Sequence, residues 1–375
     1  MATRLALIIP TLDRSGAEKQ FTLLATGLPR DEFDIHVALL TRGGAFEADL
    51  AAAGIPLTHI GKRFKCDPRA WWRLRRWLKQ LQPDVIHTWL FAANAYGRLA
   101  AGAVPKASVI VSERCVDSWK ANWQHWLDRK LLPGTDRVVG NSQSVVDFYR
   151  EHGVPGEMLV TIPNGISAPN PSRVDRATLL NRLGFPPDAF VAMYIGRMAS
   201  QKRVGDLVWA VETLRQIRPQ LRLVLVGDGP ARDSLQQVAQ DIHCQEHVRF
   251  VGLQEDVASW LNLADVFWLA SSFEGMSNSL MEAMAAGKPC VVSDIPPNRE
   301  LIEQGVHGFL APPGDTVAFM QFTRRLIDEP GLREQLGNAA RIRMLQEFSV
   351  DRMRERHIAL YREVVAEQQV PAGVA

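Results

Sequence analysis

The chain has 375 residues, 46 % of them hydrophobic and 22 % charged, which is long enough for more than one core and unlike a disordered composition. Its formal net charge of +2 is too slight to make nucleic acid a main partner. Residues 1–170 carry 21 Lys+Arg against 16 Asp+Glu and the remainder 22 against 25, so the first half is the basic one.

Cys66, Cys115, Cys244 and Cys290 are far apart and form no CxxC or Cys/His cluster of the zinc-binding kind. Free thiols in a reducing cytoplasm are expected, with no metal site and no cofactor. The apolar run at 4–10 (RLALIIP) is too short for the core of a signal peptide. No later stretch approaches the roughly 20 apolar residues of a membrane span, so a soluble or peripheral protein is expected.

In chain order, residues 5–10 (LALIIP), 34–40 (DIHVALL), 84–88 (DVIHT), 108–112 (SVIVS) and 137–141 (RVVGN) read as strands, with helical patterns at 17–28 and 67–81. Strand, helix, strand predicts a parallel sheet with crossover helices. Asn141-Ser142 reads as a strand end followed by a helix cap. Residues 163–188 concentrate Pro, Asn and Gly and read as turns around one short helix. Strands at 190–195 (FVAMYI), 221–226 (LRLVLV), 248–251 (VRFV), 266–270 (VFWLA) and 289–292 (PCVV) predict a second parallel sheet, and 331–366 reads as helices. The expectation is α/β: two facing Rossmann-like doubly wound domains.

In open parallel sheets ligands bind beyond the carboxyl ends of the strands. Four loops of the second half fall there: Gly196 to Lys202 (GRMASQK), Gly227 to Pro230 (GDGP), Gly252-Leu253, and Ser271 to Gly275 (SSFEG). Arg197 and Lys202 place two cations beside a helix start, which suits a diphosphate that gains charge as a glycosidic bond breaks. Glu274 in a loop and Glu282 in a helix opening near Ser277 provide two carboxylates, one for a sugar and one for ribose hydroxyls. Simple strand-ending turns remain the alternative for Gly196, Gly227 and Gly252, surface charges for Glu274, Glu282, Arg197 and Lys202, and a cap on the following helix for Asp228.

The run FEGMSNSLMEAMAAGKPCVVSD (273–294) resembles the E-x7-E segment of the family 4 retaining glycosyltransferases, which have the GT-B fold. IPNGI (162–166), GRMASQK (196–202), LVGDGP (225–230), SGAEKQ (15–20) and DVIHTW (84–89) resemble further segments of the same family in the same order. The resemblance implies an N-terminal acceptor-binding domain over 1–168, a C-terminal nucleotide-sugar donor domain over 169–345, and a last helix and tail, 346–375, packing back on the first domain. It implies transfer from a nucleoside-diphosphate sugar, with UDP the commonest donor, to a hydroxyl acceptor, such as a lipid-linked glycan or polysaccharide precursor. A nucleotide-sugar 2-epimerase and a non-catalytic sugar-nucleotide-binding module are the alternatives.

Carried over by residue, Gly16 approaches the donor diphosphate, and Arg197 and Lys202 neutralise it. Glu274 contacts the transferred sugar and Glu282 the ribose. Met276, Ser277 and Asn278 hold sugar hydroxyls, and backbone around Val251 and Leu253 pairs with the base. His87, Trp89, Asn94, Glu113 and Arg114 are candidates for the acceptor side, with a structural role as the alternative for His87, Glu113 and Arg114. Many members have His-x-His where this chain has His87-Thr88-Trp89, so a histidine base is not implied.

Residues 62–79 (KRFKCDPRAWWRLRRWLK) hold eight Lys+Arg against the single Asp67, with Trp71, Trp72 and Trp77 among them. Such a mixture suits an anionic membrane surface on the cytoplasmic side. The helical pattern puts Trp71, Leu74, Leu78 and Leu81 on one face and Arg69, Arg73 and Arg76 on the others. Trp119, Trp123 and Trp126, beside Lys120, Arg129 and Lys130, extend the reading, with an ordinary solvated basic helix as the alternative.

Overall fold

A computed structural model describes residues 2–117, 120–170, 172 and 174–369. The chain divides into two compact units, one running to Gly165 and resuming at Val350, the other Ile166–Ser349.

The first unit is built on a parallel sheet of β1 (Thr3–Ile9), β2 (Phe33–Leu39), β3 (Leu57–His59), β4 (Val85–Trp89), β5 (Ser108–Glu113), β6 (Arg137–Gly140) and β7 (Leu159–Thr161), in the order β3-β2-β1-β4-β5-β6-β7. Central β1 is buried without a break from Leu5 to Ile9, the apolar continuity that a strand covered on both faces requires. The helix Pro68–Leu81 starts where Asp67 accepts from the amides of Arg69 and Ala70 and Pro68 fixes the first turn. Ser142 caps the helix Gln143–Glu151 through the amide of Val145. The final helix, Val350–Gln369, belongs to this unit: Leu360, Tyr361 and Val364 are buried in its core, each burial contributing roughly 1.5–3 kcal/mol, and Arg354 donates to the carbonyl of Leu23 at 3.0 Å.

The second unit opens with the helix Arg176–Leu183, capped by Asp175 and closed by Gly184 at φ 65°. Its sheet holds β8 (Phe190–Ile195), β9 (Leu221–Val226), β10 (Val248–Gly252), β11 (Val266–Leu269), β12 (Cys290–Ser293) and β13 (Gly308–Ala311), all parallel, in the order β10-β9-β8-β11-β12-β13. Both sheets are therefore doubly wound, with the strand order reversing beside β1 and beside β8.

Three strands go beyond the sequence reading: β3, β7 and β13. All are edge strands of three or four residues, too short to show a periodicity; β3 and β7 are also only partly buried, whereas β13 is buried at three of its four positions. Among the described residues, no helix is long and apolar enough to cross a membrane.

Candidate functional site

The carboxyl ends of β8, β9 and β11 bring the singled-out loops of the second unit together. A Cβ on Gly227, at φ 125°, would lie 2.1 Å from the carbonyl oxygen of Gly196, and one on Gly229 would lie 2.4 Å from that of Met198. Only glycine permits these backbones to touch. The contact is then stitched by Met198 N–H to Asp228 O at 2.8 Å and Ala231 N–H to Met198 O at 3.0 Å. These glycines are thus close-approach residues as well as turns.

The turn Ser200–Lys202 is tied to the loop after β11 by three bonds. Ser272 N–H donates to Gln201 O at 2.8 Å, Gln201 Nε2 to Phe273 O at 2.7 Å, and Lys202 Nζ meets Glu274 Oε1 at 2.5 Å. The Lys202 and Glu274 side chains are 19 % and 8 % exposed, so this is a shielded ion pair rather than a surface one. Arg197 stands exposed at the head of the same loop, with its carbonyl accepting from the Tyr194 hydroxyl at 2.8 Å. Burial first, and Glu274 second, hold that hydroxyl protonated by raising its pKa.

Met276 and Ser277 are buried, and Ser277 caps the helix Asn278–Ala285 by accepting from the amide of Leu280. Half-buried Glu282 lies on that helix. Asp228 does not cap the following helix: its carboxylate accepts from its neighbour Gly229 N–H at 2.7 Å and from Arg232 at 3.2 Å. The helix Arg232–Asp241 begins after Ala231 without a side-chain cap. Val251 and Leu253 lie at the end of edge strand β10, with Leu253 75 % exposed. Tyr194 and Gln201, which position the cations, were not picked out from the sequence. Gln201 stands inside the GRMASQK run, whereas nothing in the strand pattern marks Tyr194.

In the first unit, Gly16 opens the helix Gly16–Gly27. The loop before it is gathered by buried Glu18, whose carboxylate accepts from Thr11 at 2.9 Å and from Ser15. Burial raises the Glu18 pKa. Gln20 clasps Gly165 in both directions, each bond 2.8 Å.

The acceptor-side candidates are deep in this unit. His87 is fully buried, its Nδ1 2.7 Å from the Tyr361 hydroxyl and its Nε2 2.8 Å from Ser112 Oγ. Burial and then His357 and Arg114 push its pKa well below the usual histidine range, which favours the neutral ring with both nitrogens hydrogen-bonded. Trp89 is also fully buried, edge-on to Phe21 with ring centroids 5.6 Å apart and with the Arg114 guanidinium 4.5 Å above its ring. Arg114 bonds to Asn164, and burial lowers its pKa to about 9. Asn94 accepts from Thr88 at 2.8 Å and donates to Ser112 O and to Glu113 Oε1 at 3.1 and 3.0 Å.

Glu113 continues into a charge cluster that the sequence did not reveal. Lys120 Nζ lies 3.5 Å from Glu113, 3.0 Å from Asp117 and 3.2 Å from Asp128, and donates to Tyr149 at 2.6 Å. Burial pushes Glu113 up to about 7 against the pull of Lys120. Lys120, expected among the surface cations, is instead wholly enclosed.

On the helix Pro68–Leu81, Trp71, Trp77 and Leu81 pack partly against the core and Trp72 is 55 % exposed; Phe64, before the helix, is 68 % exposed. Arg73 is a correction: it does not face outward but donates to Ile60 O at 2.6 Å and Gly61 O at 2.9 Å. Arg69, Arg76 and Lys79 are the exposed cations. Trp123 and Trp126 are 52 % and 56 % exposed on the helix Asn122–Leu131; Trp119 lies outside the described residues.

Comparison with known proteins decides the family. The profile described as "Glycosyl transferases group 1" matches residues 175–343, and "Glycosyltransferase Family 4" matches residues 14–168. The chain belongs to the family 4 glycosyltransferases. This glycosyltransferase is 25 % identical over 354 residues to the lipopolysaccharide core biosynthesis glycosyltransferase LpsD of Rhizobium meliloti, covering 94 % of this chain and 96 % of the relative. It is 25 % identical over 355 residues to the Escherichia coli UDP-Gal:alpha-D-GlcNAc-diphosphoundecaprenol alpha-1,3-galactosyltransferase, covering 90 % and 91 %. Among solved structures, Anabaena HepE in complex with UDP superposes with a TM-score of 0.85 at 21 % identity, covering 96 % of this chain and all of that one. Sucrose-phosphate synthase of Thermosynechococcus elongatus superposes at 0.80 and 20 %, covering 97 % and 100 %. These likenesses establish the GT-B fold.

Proposed function

We propose that the glycosyltransferase moves a hexose from a uridine diphosphate sugar to a hydroxyl of a lipid-linked glycan or polysaccharide precursor, with retention at the anomeric carbon. The observation that carries this reading is the shielded Lys202–Glu274 pair in the loop that exposed Arg197 heads, at strand ends where glycines let the loops after β8 and β9 meet and hydrogen bonds tie in the loop after β11. A diphosphate at that place finds two cations and a carboxylate directed at the sugar. Relatives named for lipopolysaccharide core and diphosphoundecaprenol substrates, and UDP in the HepE complex, support the donor and acceptor classes.

In this reading Arg197 and Lys202 stabilise the diphosphate as the bond from C1 to phosphate oxygen breaks. Glu274 stabilises the sugar, and amides near Met276, Ser277 and Asn278 hold its hydroxyls. Glu282 accepts from ribose, and Val251 and Leu253 meet the base. The acceptor oxygen bonds to C1 on the face that the phosphate leaves. Its proton passes to the departing phosphate oxygen, so no histidine base is needed; Asn94, Glu113, Arg114 and Trp89 shape the acceptor side.

The first unit docks on anionic membrane through 62–79 on the cytoplasmic face, with Phe64 and Trp72 at headgroup depth and Arg69, Arg76 and Lys79 contributing about 1 kcal/mol each. Transfer of labelled hexose from UDP-hexose to membrane extracts, with the new linkage assigned by proton NMR, tests the reaction: a retained configuration supports it, and inversion contradicts it. Vesicle co-sedimentation tests docking. Binding is expected to need anionic lipid and to be lost when Arg69, Arg76 and Lys79 are all changed to Glu; equal recovery with and without anionic vesicles would refute docking.

A further inference from the structure

The end of β10 carries a feature that the base-binding reading does not use. The ladder between β9 and β10 shifts register between Phe250 and Gly252, and a bulge leaves the extra residue, Val251, out of the sheet's pairing. Its carbonyl is taken up by a side chain: Gln254 Nε2 donates to Val251 O at 2.6 Å. At the other end of the same amide, Trp260 Nε1 donates to Gln254 Oε1 at 3.2 Å. Trp260 itself is fixed, standing on the helix Val257–Leu263 and packed against the core of the second unit. With a donor on its oxygen and an acceptor on its nitrogen, the amide has one orientation, and one Nε2 hydrogen remains for a ligand.

We propose that Gln254, oriented by Trp260, selects a 2,4-dioxopyrimidine base, the uracil edge, in the donor site. The inference rests on the proposed pairing of a base with Val251 and Leu253. A carbonyl oxygen accepts two hydrogen bonds, so Val251 O receives uracil N3–H beside Gln254, while Leu253 N–H donates to O4. Uracil O2 flanks N3–H and so meets the remaining Nε2 hydrogen, completing an acceptor, donor, acceptor edge against donor, acceptor, donor.

The other bases fail at definite atoms. Guanine matches at O6 and N1–H but turns its N2 amino group toward the Gln254 amino group, donor against donor. Cytosine and adenine oppose the backbone pair at both positions, with an amino group facing Leu253 N–H and a ring-nitrogen lone pair facing Val251 O. An unmatched polar contact of this kind discriminates more strongly than an added attraction. Trp260 acts as a positioning residue, because without its N–H the amide is held only through Val251 O and is free to swing away from the base edge.

Calorimetric titration of the full chain with UDP, GDP, CDP and ADP tests this. Wild type is expected to bind UDP at least about tenfold more tightly than GDP, and Gln254→Ala to weaken UDP about five- to tenfold while leaving GDP within about twofold. Gln254→Glu, whose carboxylate only accepts, should weaken UDP and strengthen GDP. Trp260→Phe should narrow the UDP to GDP ratio in the same direction. A loss of fold cannot strengthen GDP, so the Glu variant separates selection from structural damage. Equal wild-type affinity for UDP and GDP, or parallel weakening of both in every variant, would overturn the proposal while leaving the donor site intact if Lys202→Ala still abolishes binding. Failure of wild type to bind any of the four would overturn the donor-site reading and this inference together.

Discussion

Replacing Lys202 by Ala perturbs two things at once: it removes a cation from the proposed diphosphate position, and it leaves Glu274 without its partner. The pair is 2.5 Å apart with the carboxylate side chain only 8 % exposed. Breaking a buried pair from one side costs about 3–5 kcal/mol. The 19 % exposure of the Lys202 side chain lets water enter the vacated space and screens the loss, which brings the expected cost to about 2 kcal/mol. For a unit of this size that is a fall of roughly 4–8 °C in its thermal midpoint. The kcat should fall by roughly 10²–10³, the scale of losing one preorganised charge partner at a developing anion. The double variant Lys202→Met, Glu274→Gln separates the effects, since it removes both charges: most of the stability should return, and none of the activity. Unfolding followed by circular dichroism, with steady-state transfer rates on the same samples, reads both. A folded Lys202→Ala enzyme within threefold of the wild-type rate, or a double variant no more stable than the single one, would refute the reasoning.

Gly227→Ala places a Cβ 2.1 Å from Gly196 O at φ 125°, so the loops must part; a loss of about 2–4 kcal/mol in chemical denaturation is expected, and a change under 0.5 kcal/mol would contradict the close approach. Glu113 has its pKa raised to about 7 from 4.5 by burial, so the folded state holds a proton that the unfolded state gives up. Its contribution is full below about pH 4.5 and is lost as pH rises through about 7. Glu113→Gln should therefore flatten the fall in thermal midpoint between pH 5 and 8, and a variant with the wild-type pH slope would exclude Glu113 as its source. Activity should survive EDTA, since Arg197 and Lys202 supply the positive charge and, among the described residues, no three His, Cys, Asp or Glu side chains gather to hold an ion; loss restored by Mg²⁺ or Mn²⁺ would show otherwise.

How far the sequence reads depends on what each residue needs from its neighbours. β8 and β9 were legible at full length because nearly every residue in Phe190–Ile195 and Leu221–Val226 is buried, and two-sided burial writes an unbroken apolar run. β3, β7 and β13, at three or four residues, are too short to write such a run. Glu274 and Lys202 were each visible in their loops, yet their pairing was not, because it joins residues 72 positions apart. Lys120 misled most: beside tryptophans and basic residues it reads as an interface cation, while three carboxylates gathered from separate segments enclose it. Arg73 misled for a related reason, since helical periodicity gives the direction of a side chain's root and a long side chain can turn back to backbone carbonyls.

The central claim is that the second unit holds a nucleoside-diphosphate sugar against Arg197 and the paired Lys202 and Glu274. A thermal-shift panel of nucleotide sugars against wild type and Arg197→Ala tests it most directly, because a ligand that binds only the folded state stabilises it by mass action, by about 2.7 kcal/mol at a hundredfold excess over Kd. The account predicts a rise in midpoint with UDP-hexose that is lost in Arg197→Ala. No nucleotide sugar raising the midpoint of wild type, or an equal rise in both proteins, would contradict it.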